Sequence, residues 1–303
     1  MAEPLVIGVD VGGTNIRTAQ VDRSGAIARR VERPTPVGSE AALLEGLEAA
    51  VSDALSPEVL ALGFGIPSTI DRRTGRAVSS VNVPLTDLDL ASHMTARFGL
   101  PAGIDNDAHA ATLAEWTFGA GRGTRHMVLL TLGTGIGGGL ILDGRPYRGA
   151  VGAGGELGHI VIEHDGPPCP GSCSGRGHLE ALASGTAADA ESRRLLGDGS
   201  TAADLVAAAR EGDEAAGTAL AELGRRLGSG IGTLVNIFNP ELVVLAGGFA
   251  EAGELLFEPA REIVRREALQ PARDFVRIVP AELGPEAGVV GAALLAFEAL
   301  ERR

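Results

Sequence analysis

Asp10 ends an apolar run and is followed by Val11, Gly12, Gly13, Thr14 and Asn15. Glycines carry no side chain to hold backbone N–H groups away from a ligand, so this turn could receive phosphate oxygens, with Thr14 and Asn15 as added donors. A carboxylate there suits Mg²⁺ held through water, and a metal is what phosphoryl transfer uses to neutralise the β and γ phosphates. A plain hairpin turn can have the same composition. The motif gains weight from a second copy, Thr131-Leu132-Gly133-Thr134-Gly135. Asp107, after Asp105 and Asn106, opens a helical stretch running to Phe118 and reads two ways. It is either the helix N-cap or a general base that orients a hydroxyl and accepts its proton. The helix dipole favours its ionised form in both.

A third group lies in Gly154–His159 and the Pro- and Gly-rich stretch Pro167–Glu180. His159, Cys169, Cys173 and His178 are four soft or borderline ligands in a loop with little else to hold it. A structural Zn²⁺ in tetrahedral N/S geometry would close it. A Cys169–Cys173 disulfide and a metal-free loop are the other readings, the disulfide being disfavoured in a reducing compartment. His93, His109, His126 and His164 draw no role.

The elements that must position these residues follow from pattern. Residues 5–22 are two β-type runs around the Gly-Gly-Thr turn, and 128–143 repeat the plan around Gly133-Thr134-Gly135. Two copies of one glycine-turned hairpin predict a duplicated fold. Between them the pattern predicts a helix over 39–55 capped by Ser39, a strand near 59–66 and the helix ending at 118. Gly119–Thr124 marks a lobe boundary. Helices follow near 201–209 and 213–237, the latter stopped at Asn239-Pro240. A strand over 241–246 ends at Gly247-Gly248, and a helix near 252–267, a strand near 275–279 and a last helix near 286–300 complete an α/β alternation.

Composition bounds the partners. The formal charge of -13 over 303 residues opposes broad contact with nucleic acid or anionic membranes. No lysine occurs, so all 26 basic residues are arginine, which excludes a Walker A lysine, a protein-kinase strand lysine and Schiff-base chemistry. The N-terminal residues lack the pattern of a signal peptide, no apolar run is long enough to span a bilayer, and two cysteines fit a reduced compartment. The expected location is cytoplasmic.

The two glycine turns, Asp105-Asn-Asp-Ala-His-Ala-Ala111 and Leu245-Ala-Gly-Gly248 together resemble the ROK family of sugar kinases over essentially the whole chain. The resemblance implies the duplicated ribonuclease-H-like, actin-like ATPase fold, α/β, in two lobes with a central cleft. The expected lobes are 1–119, rejoined by 287–303, and 120–286 with the zinc loop and the dimer contacts. It implies ATP phosphates at Gly12, Gly13, Thr14 and Asn15 and at Thr131, Gly133, Thr134 and Gly135, Mg²⁺ at Asp10, and adenosine near Gly247 and Gly248. It favours Asp107 as the base that activates a hexose hydroxyl. Asn82, Asn106, Glu156, His159 and Glu180 match sugar-binding positions, and His159 would give its other ring nitrogen to zinc. Two departures stand out. Relatives have a Cys-x-Cys-Gly-x-x-Gly-Cys pattern where this chain has Cys169, Cys173 and His178, and Pro-Gly where it has Pro67-Ser68. Glucose is the expected sugar, with fructose and N-acetylhexosamines as alternatives and polyphosphate as a less favoured donor. The expected assembly is a homodimer, or a tetramer. Sugar-responsive repressors of this family carry a DNA-binding domain ahead of the first turn, and the intact acidic residues and turns speak for a catalyst.

Overall fold

The computed structural model describes residues 4–80 and 82–302. The chain divides into two compact units. The first takes residues up to Arg122, Pro146–Gly154, and the chain from Leu283 onward; the second takes Gly123–Arg145 and Gly155–Glu282. Pro146–Gly154, assigned to the larger lobe on sequence, thus packs with the first unit.

In the first unit, β1 (Leu5–Val11), β2 (Asn15–Val21) and β3 (Ile27–Pro34) form an antiparallel meander, followed by α1 (Glu40–Ala54) and β4 (Val59–Ile66). A small sheet of β5 (Ile70–Asp71), β6 (Arg76–Ser79) and β7 (Thr86–Leu88) comes next, then α2 (Leu90–Phe98), β8 (Ala102–Asn106) and α3 (Asp107–Phe118). The sheet order is β3-β2-β1-β4-β8, with β4 parallel to both β1 and β8. The interior strands are apolar on both faces, as helix-covered strands must be. β3 is an edge strand whose Arg and Glu side chains face water, which stops further pairing. That charge pattern hides it from a search for alternating hydrophobicity.

The second unit repeats the plan. β9 (Met127–Leu132), β10 (Ile136–Leu142) and β11 (Arg145–Tyr147), whose last two residues are grouped with the first unit, are followed by α4 (Leu179–Ala183), α5 (Gly185–Leu196), α6 (Ala202–Arg210), α7 (Glu214–Phe238), β12 (Leu242–Ala246), α8 (Glu254–Glu267), α9 (Ala272–Phe275) and β13 (Arg277–Pro280). The order β11-β10-β9-β12-β13, with β9 antiparallel to β10 and parallel to β12, matches the first sheet position for position. Where a strand is expected from 275, a helical turn through Phe275 precedes β13.

α10 (Ala287–Glu301) returns to the first unit and lies across its sheet. The approach is close because glycines stand beneath it. A Cβ on Gly8, Gly63 or Gly103 would come within 2.1, 1.9 and 2.3 Å of backbone oxygens of Val289, Ala292 and Leu295. One glycine on each of three neighbouring strands therefore lets an alanine-rich helix seat on backbone, a packing any added methyl would break. Among the described residues no helix is long and apolar enough to cross a membrane.

Candidate active site

In the first unit, register sets the site. Asp10, Gly65 and Asp105 are paired neighbours across β1, β4 and β8, at the carboxyl ends of three parallel strands where open α/β sheets hold ligands. β8 runs into α3 without a loop, so Asp107 stands in the helix's first turn. The cap itself is Asn106, whose side-chain oxygen accepts from the N–H groups of Ala108 at 2.9 Å and His109 at 3.2 Å. Asp107 is therefore not the N-cap, although its own Oδ1 accepts from Ala108 N at 2.8 Å. Asn106 is correspondingly less open to a ligand than sequence suggests: its oxygen serves the cap, and its amide donates to Ser68 O at 3.4 Å.

The Asp10 carboxyl is pushed up to about 6, first by burial and then by the Asp107 carboxylate, with Arg17 pulling the other way. Two carboxylates thus act on one another here, an arrangement metal-dependent and proton-transferring sites share. The turn after β1 exposes Gly13 and Thr14 and is pinned from behind, where Thr35 donates through its hydroxyl to Gly12 O at 2.7 Å and through its N–H to Thr14 O at 2.8 Å. Asn15 begins β2. Asn82 is exposed, its N–H resting on the Ser80 hydroxyl at 3.1 Å. Ser68 is buried and gives its hydroxyl to Ser79 O at 2.8 Å, so this departure braces the loop from within.

In the second unit, the Gly133–Gly135 turn is tied to the start of α5, where Gly185 N donates to Gly133 O at 2.8 Å and the Thr186 hydroxyl to Thr134 O at 2.8 Å. Gly133, Thr134 and Gly248 line one cavity of about 420 Å³, together with Gly185, Asp189, Arg210 and Phe249. Two glycine motifs more than a hundred residues apart are thereby brought to one nucleotide-sized space. Gly247, beside it, has φ +90 and no room for a Cβ, which would meet Leu132 O at 2.5 Å. Thr131 is the half-buried penultimate residue of β9. Asp189, Arg210 and Phe249 were not foreseen; the Ser184-Gly185-Thr186 helix start was the one local signal available, Ser184 being the N-cap of α5.

Glu180, in α4, accepts from Ile136 N at 2.8 Å through one oxygen, and the space it occupies exists because residue 135 is glycine: a Cβ there would lie 2.2 Å from that oxygen. Its other oxygen is 3.8 Å from Cys169 Sγ. Glu156 is exposed at the start of the helical turn Leu157–His159. His159, Cys169, Cys173 and His178 converge, their ligand atoms all within 4.8 Å of one another. His159 Nδ1 is 3.3 Å from His178 Nδ1 and 3.5 Å from Cys169 Sγ, and His178 Nδ1 is 3.6 Å from Cys173 Sγ. Zinc bonds of about 2.05 Å to nitrogen and about 2.3 Å to sulfur give tetrahedral edges of about 3.3 Å between nitrogens and about 3.6 Å from nitrogen to sulfur. The donor set and its spacing fit that ion. Both cysteines are free thiols, and burial, with Cys173 and Glu180 adjacent, pushes the Cys169 thiol up to about 12.

A duplicated five-strand plan with paired carboxylates in one half and glycine turns around a nucleotide-sized cavity in the other defines an actin-like ATPase fold. Residues 6–299 match the ROK family. The chain belongs to that family. It is 37% identical to a glucokinase of Thermotoga maritima, over 97% of each chain. It matches the crystal structure of a ROK family glucokinase from Streptomyces griseus in complex with glucose and AMPPNP at a TM-score of 0.85, 34% identity, over 97% of this chain and 99% of that one. It is also 30% identical to a putative xylose repressor of a Caldicellulosiruptor species, over 95% of this chain and 76% of the repressor.

Proposed function

We propose that this protein is an ATP-dependent hexose kinase that converts glucose to glucose 6-phosphate. The observation that carries the reading is Asp107, in the first turn of α3 beside a second half-buried carboxylate, Asp10. It stands in a chain that shares more than a third of its residues with a glucokinase over nearly its full length. The two units are the two lobes of the kinase.

In this reading Asp107 accepts the proton of the sugar hydroxyl as the phosphorus–oxygen bond forms. Its charge is favoured by the helix N-terminus. Asn82, the Asn106 amide, Glu156, His159 and Glu180 hold the sugar hydroxyls; charged acceptors discriminate strongly against analogues lacking a hydroxyl. Gly12, Gly13, Thr14 and Asn15 on one turn, and Thr131, Gly133, Thr134 and Gly135 on the other, receive the phosphates, and Gly247 and Gly248 border the adenosine. Asp10 holds Mg²⁺, which when bound neutralises phosphate charge. His159, Cys169, Cys173 and His178 hold Zn²⁺, and the ion would fix the His159 ring through Nδ1, leaving Nε2 for the sugar. The protein works in the cytoplasm as a homodimer.

The repressor relative favours one other reading, a sugar sensor without turnover. Coupled ADP release with Mg-ATP against glucose, fructose, mannose, N-acetylglucosamine and N-acetylmannosamine separates the two, with Asp107→Ala as the blank. Turnover of glucose that vanishes in the variant supports the kinase. Turnover of another sugar alone replaces the substrate, and no turnover with any sugar overturns catalysis.

A further inference from the structure

Asp105 is 2% exposed and closely surrounded. Its Oδ1 accepts from Asn106 N at 2.9 Å and lies 3.2 Å from His109 Nδ1. Its Oδ2 accepts from Arg148 Nε, and Arg72 approaches it at 3.7 Å. His109, also buried, reaches with Nε2 to Gly154 O at 2.8 Å. The two nitrogens of this ring thus reach a carboxylate on α3's own approach and a carbonyl of the Arg148–Gly154 turn. These bonds, with His109 and Arg148 first, hold the Asp105 carboxyl below its ordinary range against the burial that would raise it.

Arg148 and Gly154 are the two ends of one hydrogen-bonded turn, closed by Gly154 N donating to Arg148 O at 2.9 Å. That segment is the piece of chain which packs with the first unit between two stretches of the second. Next in the chain come Gly155, Glu156 and, three residues further, His159. At the other end of the network, Asp105 and His109 flank Asp107 by two residues on either side.

We infer that His109 and Arg148 are positioning residues: through Asp105 they fasten the Arg148–Gly154 turn to the first turn of α3, and so fix the point from which the chain runs on to the sugar-holding residues Glu156 and His159. This rests on the kinase reading above. A buried, paired charge network is costly to leave half-made, so removing one member displaces the others instead of leaving them in place.

The test is steady-state kinetics of His109→Gln and Arg148→Lys, with glucose and Mg-ATP varied separately and thermal unfolding recorded. The expected result is a KM for glucose raised about tenfold or more with a KM for ATP within about twofold of the parent, since the displaced contacts are to the sugar and not to the nucleotide. A network that only stabilises the fold would lower the active fraction and the melting temperature while leaving both KM values unchanged, and that outcome overturns the inference. Arg148→Ala assayed with and without added guanidinium gives a second reading: recovery of the glucose KM supports positioning, and a variant whose glucose KM equals the parent's excludes it. A parent enzyme with no turnover removes the kinase reading and this inference together, whereas an active parent whose variants keep the parental KM removes the inference alone.

Discussion

The turn after β1 and the turn after β9 join equivalent hairpins at equivalent places in their sheets, yet they differ in charge. Two residues before its first glycine the first carries Asp10; the second carries Thr131. The acid near the second turn, Glu180, arrives from α4 and spends one oxygen on Ile136 N. A shared backbone thus leaves carboxylates free to act on one another in one half and keeps a neutral hydroxyl in the other. On the proposed kinase reading the difference follows from charge: a carboxylate helps where a cation mediates, and would repel phosphate set against bare N–H groups.

The sharpest way to break this contrast is at Asp107. Asp107→Ala is expected to lower kcat by about 10²- to 10⁴-fold, the usual worth of a positioned base, with glucose still bound in a calorimetric titration. A variant that keeps a tenth of the parental kcat would show that the paired carboxylates are structural. The next test moves the acid to the other turn. Thr131→Asp should raise the KM for ATP by about ten- to a hundredfold, since an added like charge near a phosphate costs a few kcal/mol at short range in a partly buried site, and leave the glucose KM nearly unchanged. An unchanged ATP KM would mean that β9 ends away from the phosphates.

How far this contrast was legible beforehand differs by feature. The hairpins, α3 and the glycine turns showed in the sequence because alternation and turn residues are local signals. β3 was missed because an edge strand trades its apolar face for charge, and α5 because its buried face is made of small residues, Gly185, Ala188 and Ser192, which leave a weak periodic trace. The metal-type cluster could be anticipated because its members lie within twenty residues. The Asp105 network could not. His109 looked like a histidine without a task, and its partners Arg148 and Gly154 are some forty residues away, on a segment that leaves its own unit. Position on a helix, by contrast, left Asp107 open between cap and base, and the geometry removes the first by giving that role to Asn106.

A third test bears on what positions each cluster of side chains, strand register for Asp10 and Asp105 and the convergence of His159, Cys169, Cys173 and His178 for the other. If the cluster holds zinc as proposed, Cys173→Ser should release it, read by elemental analysis, and raise the glucose KM about tenfold with the ATP KM unchanged, because the metal would then orient one ring nitrogen of His159. Full zinc content in that variant would remove Cys173 from the set, and an unchanged glucose KM would separate the cluster from the sugar.

The smallest expected effect concerns stability and its dependence on pH. Asp10 holds its proton more tightly folded, near 6, than its ordinary value of 3.8. The folded state therefore binds more protons than the unfolded chain between those values. The stabilisation from the protonated carboxyl is complete below about pH 4 and is lost as pH rises through about 6. In Mg²⁺-free buffer at neutral pH the ionised carboxylate, buried and opposed by Asp107, is then a net cost. Asp10→Asn should raise stability at pH 7 by about 1 kcal/mol, after allowing for the part of the shift that solvent screens, and should flatten the fall in melting temperature between pH 4 and 6. The same variant should lose most Mg-ATP turnover, the exchange of stability for function expected where a site keeps two like charges together. Parent and variant melting alike across that range would mean that Asp10 is not strained by its neighbour, and the charge difference between the two turns would lose its energetic basis.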